Sequence, residues 1–343
     1  MSAMTTAPDS APLRTTAAAS PAPPGVSALP GSVIGGLYPD DGACQSDLDH
    51  GLRGTGGDRP KMADCGGAVP AIRVGADGRR GAARGARMAY DANAFRLDGE
   101  VAVLTGAGAG IGKAIATTFA AAGAAVVVTD LDGKAAEAVA AEIAAVGGRA
   151  AGLAVNVTEE RDLAAAAETA VARFGKLTLL VNNAGGGGPK PFDMPMKDFR
   201  WAFELNVFSV FRLSQLAAPH MERAGHGAIL NVSSMAAENK NVRMAAYGSS
   251  KAAESHLTRN LAFDLGPRGI RVNGIAPGAT RTHALSTVLT PEIEKAMLKH
   301  TPLKRLGEPQ DMANAALFLC SPAASWVSGQ ILTVSGGGVQ ELD

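Results

Sequence analysis

Short apolar runs alternate with longer segments of helical composition through the last three quarters of the chain, and this alternation limits the fold most strongly. Apolar runs separated by segments of helix length are typical of a parallel sheet that is covered by helices on both faces. Ligands of such domains bind at the carboxyl ends of the strands. The sequence therefore predicts a single doubly wound α/β domain with a seven-stranded parallel sheet. The predicted strands are residues 101–105, 126–129, 153–155, 179–181, 228–232, 271–275 and 331–334.

Residues 1–87 differ sharply in composition from the remainder of the chain. They contain no Glu, Phe or Trp and a single lysine, Lys61, but they are rich in Ala, Gly, Pro, Asp and Arg. So few large apolar side chains cannot offset the conformational entropy that the chain loses when it folds. We therefore predict that residues 1–87 are a disordered low-complexity extension, which precedes a domain spanning 88–343. Aspartates such as Asp40 count against a transit peptide. The alternative interpretation is a true start at Met88, preceded by translated upstream sequence.

Charge and cysteine content exclude several functional classes. The chain has 32 basic and 32 acidic side chains and hence no net charge, which predicts no nucleic-acid partner. Its 3 cysteines are too few and too scattered for a disulfide framework or a zinc site, so no metal is expected. No apolar run reaches the roughly 18 residues of a membrane span, and the N-terminus lacks the pattern of a secretory signal. We therefore expect a cytoplasmic protein with no membrane partner.

A glycine-rich segment, TGAGAGIG from Thr105 to Gly112, lies between the first predicted strand and the first helix. Glycines such as Gly106 and Gly110 allow a tight turn and let the backbone approach a pyrophosphate, which the helix N-terminus attracts. Asp130 ends the next strand, where its carboxylate can accept hydrogen bonds from an adenosine ribose and repel a 2′-phosphate. No basic residue precedes Gly112 in the loop. The segment therefore predicts a Rossmann-type site for NAD rather than NADP.

Three polar residues in the second half form a pattern typical of proton transfer. Tyr247 and Lys251 are about one turn apart at the start of a predicted helix and share one face, and Ser234 follows the fifth predicted strand. Oxidation of an alcohol by hydride loss requires removal of the hydroxyl proton, and an unperturbed tyrosine has a pKa of about 10. An ammonium such as that of Lys251 stabilises a phenolate, while Ser234 can hydrogen-bond the reacting oxygen. These residues predict an oxidoreductase that acts on an alcohol.

Taken together, these motifs resemble the short-chain dehydrogenase/reductase family along the whole of residues 88–343. The resemblance is carried by residues 105–112, 182–185 (NNAG), Ser234, Tyr247-x-x-x-Lys251 and Pro277-Gly278. It implies that Asn206 is a fourth catalytic residue, which holds a water in a proton relay with Lys251. It also implies cofactor contacts at a larger set of positions. These are Gly106, Gly110, Ile111, Gly112, Asp130, Leu131, Asn156, Val157, Asn183, Tyr247, Lys251 and Thr280.

A closer similarity links three stretches, residues 182–196, 234–241 and 320–342, to bacterial 7α-hydroxysteroid dehydrogenases. Those enzymes oxidise the 7α-hydroxyl of bile acids with NAD and are usually homotetramers. The similarity implies a bile acid or other steroid as substrate and a role in bile acid catabolism. By matching motif, the implied substrate contacts are Gly187, Ser234, Asn239 and Tyr247.

Two departures from the family pattern leave alternatives open. Asn156 stands where the family commonly places an aspartate that faces the adenine, although an amide oxygen can accept the same hydrogen bond. The loop at residues 280–283 (TRTH) differs from the more apolar version expected in the close relatives. The substrate is alternatively another alcohol or carbonyl, such as a 3-oxoacyl or sugar compound. A non-catalytic dinucleotide-binding protein is a further alternative, but the intact set of Ser234, Tyr247 and Lys251 counts against it.

Overall fold

The computed structural model describes residues 91–240, 242–287 and 289–338. The predicted disordered extension, residues 1–87, lies outside the described residues. The strands of the central sheet are β1 (Val101–Leu104), β2 (Ala125–Asp130), β3 (Arg149–Ala154), β4 (Leu179–Asn182), β5 (Gly227–Val232), β6 (Ile270–Pro277) and β7 (Ile331–Val334). All pairs are parallel in the order β3-β2-β1-β4-β5-β6-β7. The predicted seven-stranded, doubly wound fold is thereby confirmed.

Helices cross between the strands and cover both faces of this sheet. They are α1 (Gly110–Ala121), α2 (Gly133–Ala145), α3 (Glu160–Phe174), α4 (Met196–Phe203), α5 (Ser209–Ala224), α6 (Ala245–Leu265), α7 (His283–Ser286), α8 (Pro291–Lys299) and α9 (Pro309–Cys320). A π-helical turn, Glu204–Phe208, joins α4 to α5, and a short 3₁₀ turn, Met235–Ala237, follows β5. None of the helices in the described part of the chain is long and apolar enough to cross a membrane.

Alternate residues of each strand point into two separate apolar cores. In β1, Ala102 and Leu104 pack with α1, α2 and α9 on one face of the sheet. Val101 and Val103 pack with α3, α5 and α6 on the other face. All four side chains are buried, which explains why this strand reads as a continuous apolar run rather than an alternating one.

The third strand begins four residues earlier than the sequence predicted, at Arg149 rather than at residue 153. The added residues are one arginine, Arg149, and three small residues, yet they pair in register with β2. Gly152 allows the covering helix to approach, because a Cβ at this position would lie 2.6 Å from the Cα of Glu137 in α2. This strand is therefore defined by backbone pairing and close helix packing, which an apolar pattern does not report.

The start of α3 depends on the turn that precedes it. Glu159 occupies the N-cap position of this helix and makes no side-chain cap bond. The Thr158 hydroxyl donates to Oδ1 of Asn156 at 2.8 Å, so it stabilises the preceding turn. Asp162 accepts from the backbone N–H of Asn156 at 3.1 Å and ties the helix to that turn.

Strand order places a crevice at the carboxyl edge of the sheet. β1 lies between β2 and β4, so the connections that leave β1 and β4 depart in opposite directions. In an open parallel sheet this reversal of strand order creates the ligand-binding crevice. The glycine-rich segment follows β1, and residues 182–185 follow β4, so both motifs lie at this crevice.

Candidate active site

The glycine-rich loop after β1 is packed so tightly that several positions have no room for a side chain. Gly106 has a positive φ of 60°, and a Cβ there would lie 2.8 Å from the Cα of Ala184. A Cβ at Gly112 would lie 2.3 Å from the carbonyl oxygen of Gly106. Gly110, with a φ of 55°, begins α1 and directs the N-terminus of this helix at the crevice. The loop thus forms the backbone cradle that a pyrophosphate requires.

Asn183 fastens this loop to the adjacent strand. Its side-chain amide donates to the carbonyl oxygens of Thr105 at 3.0 Å and Gly106 at 2.7 Å. In return, the Thr105 hydroxyl accepts from the backbone N–H groups of Asn183 at 3.1 Å and Ala184 at 3.0 Å. The position carried over from the family as a cofactor contact is therefore also the link that holds β1 and β4 in one arrangement.

Asp130 lies where the adenosine ribose of a dinucleotide is expected. Its Oδ2 accepts from the backbone N–H of Gly108 at 2.9 Å, and its Oδ1 accepts from that of Asp132 at 3.0 Å. An ionised carboxylate has about four acceptor sites, so two backbone bonds leave capacity for ribose hydroxyls. Leu131 beside it is exposed and can cover an adenine ring.

The other positions implied as cofactor contacts follow β3 and β6. They differ in how many hydrogen bonds their side chains already make and in how deeply they are buried. Oδ1 of Asn156 accepts from both the backbone N–H and the hydroxyl of Thr158, at 3.1 and 2.8 Å. Since an amide oxygen has two lone pairs, an adenine contact through Oδ1 requires one of these bonds to be released. Val157 and Thr280 are buried. Thr282 faces the loop from the opposite wall, because a Cβ at Gly110 would lie 3.5 Å from its methyl group.

Ser234 and Tyr247 belong to two segments that pack against each other. Ser234 lies two residues after the end of β5, and its hydroxyl accepts from the backbone N–H of Ala236 at 3.1 Å at the start of the 3₁₀ turn. This turn contacts the first turn of α6, because a Cβ at Gly248 would lie 2.9 Å from the carbonyl oxygen of Ala236. Tyr247 lies in that first turn of α6, where the sequence predicted it.

Lys251 is buried and already held by two groups. Its ammonium donates to the carbonyl oxygen of Val232 at 2.7 Å and to Oε2 of Glu254 at 2.6 Å. An ammonium has three N–H donors, so one remains for another partner. Its open side faces Gly185, because a Cβ there would lie 3.0 Å from Nζ.

Asn206 lies beside Lys251 in the π-helical turn. Its side-chain amide donates to the Gly186 carbonyl at 2.8 Å and to the Ser250 hydroxyl at 2.9 Å, and its Oδ1 accepts from the Gly186 N–H at 3.0 Å. A Cβ at Gly185 would lie within 3.1 Å of both Asn206 Oδ1 and Lys251 Nζ. A π turn widens a helix, and such turns are frequent at functional sites. It turns this buried asparagine towards the loop after β4.

Two of the implied substrate contacts, Gly187 and Asn239, lie in the loops that follow β4 and β5. Gly187 lies directly against the ring of Tyr247, since a Cβ there would be 2.8 Å from Cδ2, and its φ of 127° also favours glycine. Nδ2 of Asn239 is buried and has no hydrogen-bond partner among the described residues. An unsatisfied buried amide is costly, and a ligand oxygen would satisfy it.

Sequence reasoning missed Glu254, a buried carboxylate in contact with Lys251. The signal was present, because Glu254 follows Lys251 by three positions in a predicted helix, a spacing that brings side chains together. Sequence reasoning singled out the glycines after β4 but missed that the backbones of Gly185 and Gly186 connect Asn206 with the lysine. Their importance depends on the π turn, which no apolar pattern indicates.

Comparison with known proteins finds relatives along most of this chain. A family model described as Enoyl-(Acyl carrier protein) reductase matches residues 106–338. The 7α-hydroxysteroid dehydrogenase of Escherichia coli (strain K12) is 66% identical over 254 residues, which are 74% of this chain and 100% of that enzyme. The 3-oxoacyl-(acyl-carrier-protein) reductase of Aquifex aeolicus (strain VF5) is 36% identical over 245 residues, 71% of this chain and 98% of that enzyme.

A solved structure shows the same relationship in three dimensions. It contains a 7α-hydroxysteroid dehydrogenase complexed with NADH and 7-oxo glycochenodeoxycholic acid. The TM-score is 0.73 at 65% identity, and the match covers 74% of this chain and 100% of that one. The similarity therefore extends over the whole length of a relative whose cofactor and product-like ligand are known.

Proposed function

Because this chain belongs to the short-chain dehydrogenase/reductase family, we propose that it transfers hydride between NAD(H) and the 7α-hydroxyl or 7-keto group of bile acids. The observation that carries the proposal is the 66% identity to the Escherichia coli 7α-hydroxysteroid dehydrogenase along 100% of that enzyme. The chain is an NAD-dependent oxidoreductase, and its crevice at the carboxyl edge of the sheet fits that cofactor. The tight glycine loop and the remaining acceptor capacity of Asp130 support the fit.

Tyr247 is the group that accepts the proton of the substrate hydroxyl in this proposal. When bound, oxidised NAD accepts the hydride from the carbon that carries this hydroxyl, so the alcohol becomes a ketone and one proton is released. The phenolate of Tyr247 takes that proton, and Ser234 hydrogen-bonds the substrate oxygen. The buried ammonium of Lys251 stabilises the negative charge on the phenolate. In this proposal Asn206, whose side chain bonds to Gly186 and Ser250, orients a water that passes the proton onward from Lys251.

The site has features that suit a bulky, rigid ring system. Gly187 presents bare backbone next to the Tyr247 ring, so a large substrate can approach the base closely. Met194, Met196 and Met235 flank the segments that form the cleft, and methionine provides a polarizable apolar wall. The unpartnered Nδ2 of Asn239 offers a donor for a further oxygen of the substrate. These contacts support a steroid with several hydroxyl groups.

The proposal is tested with two pairs of bile acids, and the members of each pair differ only at carbon 7: chenodeoxycholate with ursodeoxycholate, and cholate with deoxycholate. Cholate and chenodeoxycholate have a 7α-hydroxyl and are expected to reduce NAD. The reaction is measured by the increase in NADH absorbance. Ursodeoxycholate has a 7β-hydroxyl, so the hydrogen on its carbon 7 points away from the nicotinamide when the hydroxyl is bound. It is therefore expected to be a poor substrate. Deoxycholate lacks the 7-hydroxyl and serves as the matched control. Equal rates on all of them, or turnover of a 3-oxoacyl thioester alone, would refute the steroid assignment.

We also propose that the protein is a cytoplasmic homotetramer with a role in bile acid catabolism, and that residues 88–343 carry the activity. Large apolar side chains that are exposed on the single chain support the assembly, namely Phe208, Phe211, Phe263, Trp326 and Leu332 of the edge strand β7. Interfaces between subunits of a symmetric oligomer would bury such side chains. A mass from sedimentation velocity that equals the mass of one chain would refute the homotetramer.

A further inference from the structure

Glu254 is a buried charged residue that the proposed reaction does not use. It lies in α6 one turn after Lys251, and its side chain is 1% exposed. Its Oε2 contacts Nζ of Lys251 at 2.6 Å, whereas its Oε1 has no hydrogen-bond partner among the described residues. A carboxylate in this position loses its hydration and regains only part of it through one contact.

Stability does not explain why a carboxylate occupies this position. A buried ion pair is often no more stable than apolar side chains of the same volume, because desolvation cancels the attraction. The orphaned Oε1 makes the balance at Glu254 worse than in a fully hydrogen-bonded pair. The role of this carboxylate is therefore sought in its effect on Lys251, the lysine beside the proposed base.

The contacts of Lys251 show what Glu254 can do. The ammonium lies between Glu254 and the carbonyl oxygen of Val232, which together fix two of its three donors. The third is left towards Gly185, on the side where Asn206 lies and where the following loop reaches Tyr247 through Gly187. Removal of Glu254 leaves the ammonium with one fixed bond and frees its long side chain to turn. The pair also determines how much positive charge Tyr247 meets.

We propose that Glu254 is a positioning residue that holds the Lys251 ammonium against Val232 and sets the net charge beside Tyr247. The proposal rests on the proposed function, because it assigns Tyr247 as the base. With Glu254 ionised the pair is neutral, and with Glu254 protonated it carries one positive charge. A neutral pair stabilises the phenolate of Tyr247 less than a cationic one, since the ammonium and the carboxylate act in opposite directions.

The titration of Glu254 supports this assignment. Burial raises the pKa of Glu254 to about 7, and the charge and hydrogen bond of Lys251 oppose this rise. Lys251 is the charged side chain that contacts this carboxyl. The charged residue of β6, Arg271, is bonded at the opposite edge of the sheet to Leu319 and Ser321. The charge of the pair thus changes as pH rises through about 7.

The test is the pH profile of alcohol oxidation for Glu254→Gln. Glutamine keeps the shape and an oxygen acceptor for Lys251 but removes the negative charge, so the phenolate becomes easier to form. We expect the acidic limb of kcat against pH to move to lower pH by about half a unit to one unit. Asp264→Asn is the matched control, because Asp264 is an exposed carboxylate further along the same helix, and its profile should coincide with that of the wild type.

The outcomes separate this proposal from the proposed function. If Tyr247→Phe is inactive and the Glu254→Gln profile coincides with the wild type, Glu254 has no role in positioning charge and the proposal fails alone. If Tyr247→Phe keeps its rate, the assigned base is wrong irrespective of Glu254. Glu254→Met gives the same comparison if the glutamine variant does not fold. If neither variant folds, the test is ¹³C NMR of wild-type protein labelled at its glutamate carboxyls. One carboxyl signal must titrate with a pKa well above the ordinary range of glutamate. If no signal does so, the proposal is refuted.

Discussion

The amino edge of the central sheet, where its strands begin, and the carboxyl edge, where they end, differ in whether their polar groups already have hydrogen-bond partners. At the amino edge lies a cavity of about 570 Å³, which is lined by residues that include Leu97, Arg271, Cys320 and the fully exposed Trp326. At the carboxyl edge the space is shaped by glycines, and buried polar side chains such as Lys251 and Asn239 retain hydrogen-bonding capacity. The volume of this cavity therefore does not by itself make it a site of chemistry.

At the amino edge the polar groups already have structural partners. Arg271 donates to the carbonyl oxygens of Leu319 at 2.6 Å and Ser321 at 3.3 Å, and Thr178 accepts from the backbone N–H of Val101 at 3.0 Å. Burial raises the pKa of the Cys320 thiol to about 12, so it is not a nucleophile at neutral pH. Chemistry therefore needs groups whose hydrogen bonds are incomplete in the folded protein, and those lie at the carboxyl edge.

Tyr247→Phe should have the largest effect on turnover. The substitution removes only the hydroxyl that accepts the proton, so we expect a loss of about 10³-fold in kcat or more. NADH binding, measured by fluorescence, and the melting temperature should stay close to those of the wild type. Ser234→Ala should also lower kcat severely, through the substrate oxygen. A variant of either residue that keeps most of its rate would contradict the placement of the chemistry at the carboxyl edge.

Asp130→Ala should change the choice of cofactor with a smaller effect on the chemical step. The variant loses the acceptor for ribose hydroxyls and the repulsion of a 2′-phosphate together, so the ratio of kcat/KM for NAD to that for NADP should fall about tenfold or more. Asp132→Ala is a matched control at the next turn, where the carboxylate caps α2. Wild-type protein that uses NADP as well as NAD would refute the role of Asp130.

Arg271→Met should leave turnover unchanged and lower stability, which is the reverse of Tyr247→Phe. The variant leaves the carbonyl oxygens of Leu319 and Ser321 without their donor, so we expect a loss of about 2 kcal/mol in the free energy of unfolding. Denaturant unfolding and steady-state kinetics on the same preparation measure both quantities. A fall in kcat at unchanged stability would show that the amino edge takes part in the reaction.

The approximate positions of the strands and the main motifs could be predicted from sequence for a local reason. An apolar run, a glycine loop before a helix and Tyr247 one turn before Lys251 are all patterns within a few neighbouring residues, and each specifies its own backbone conformation. The boundary of β3 and the cap of α3 could not be predicted, because they depend on pairing with β2 and on the turn at Asn156.

The sequence by itself determined the doubly wound fold, the dinucleotide loop and the identity of Ser234, Tyr247 and Lys251. Only the tertiary structure decided how these residues are surrounded. The π turn brings Asn206 to Gly186, the packing of α6 on β5 places Lys251 against Val232, and both bury Glu254. The physical reason is that a pattern reports which residues share one strand or helix, whereas burial and electrostatic environment are properties of elements far apart in the chain that meet only in the folded protein.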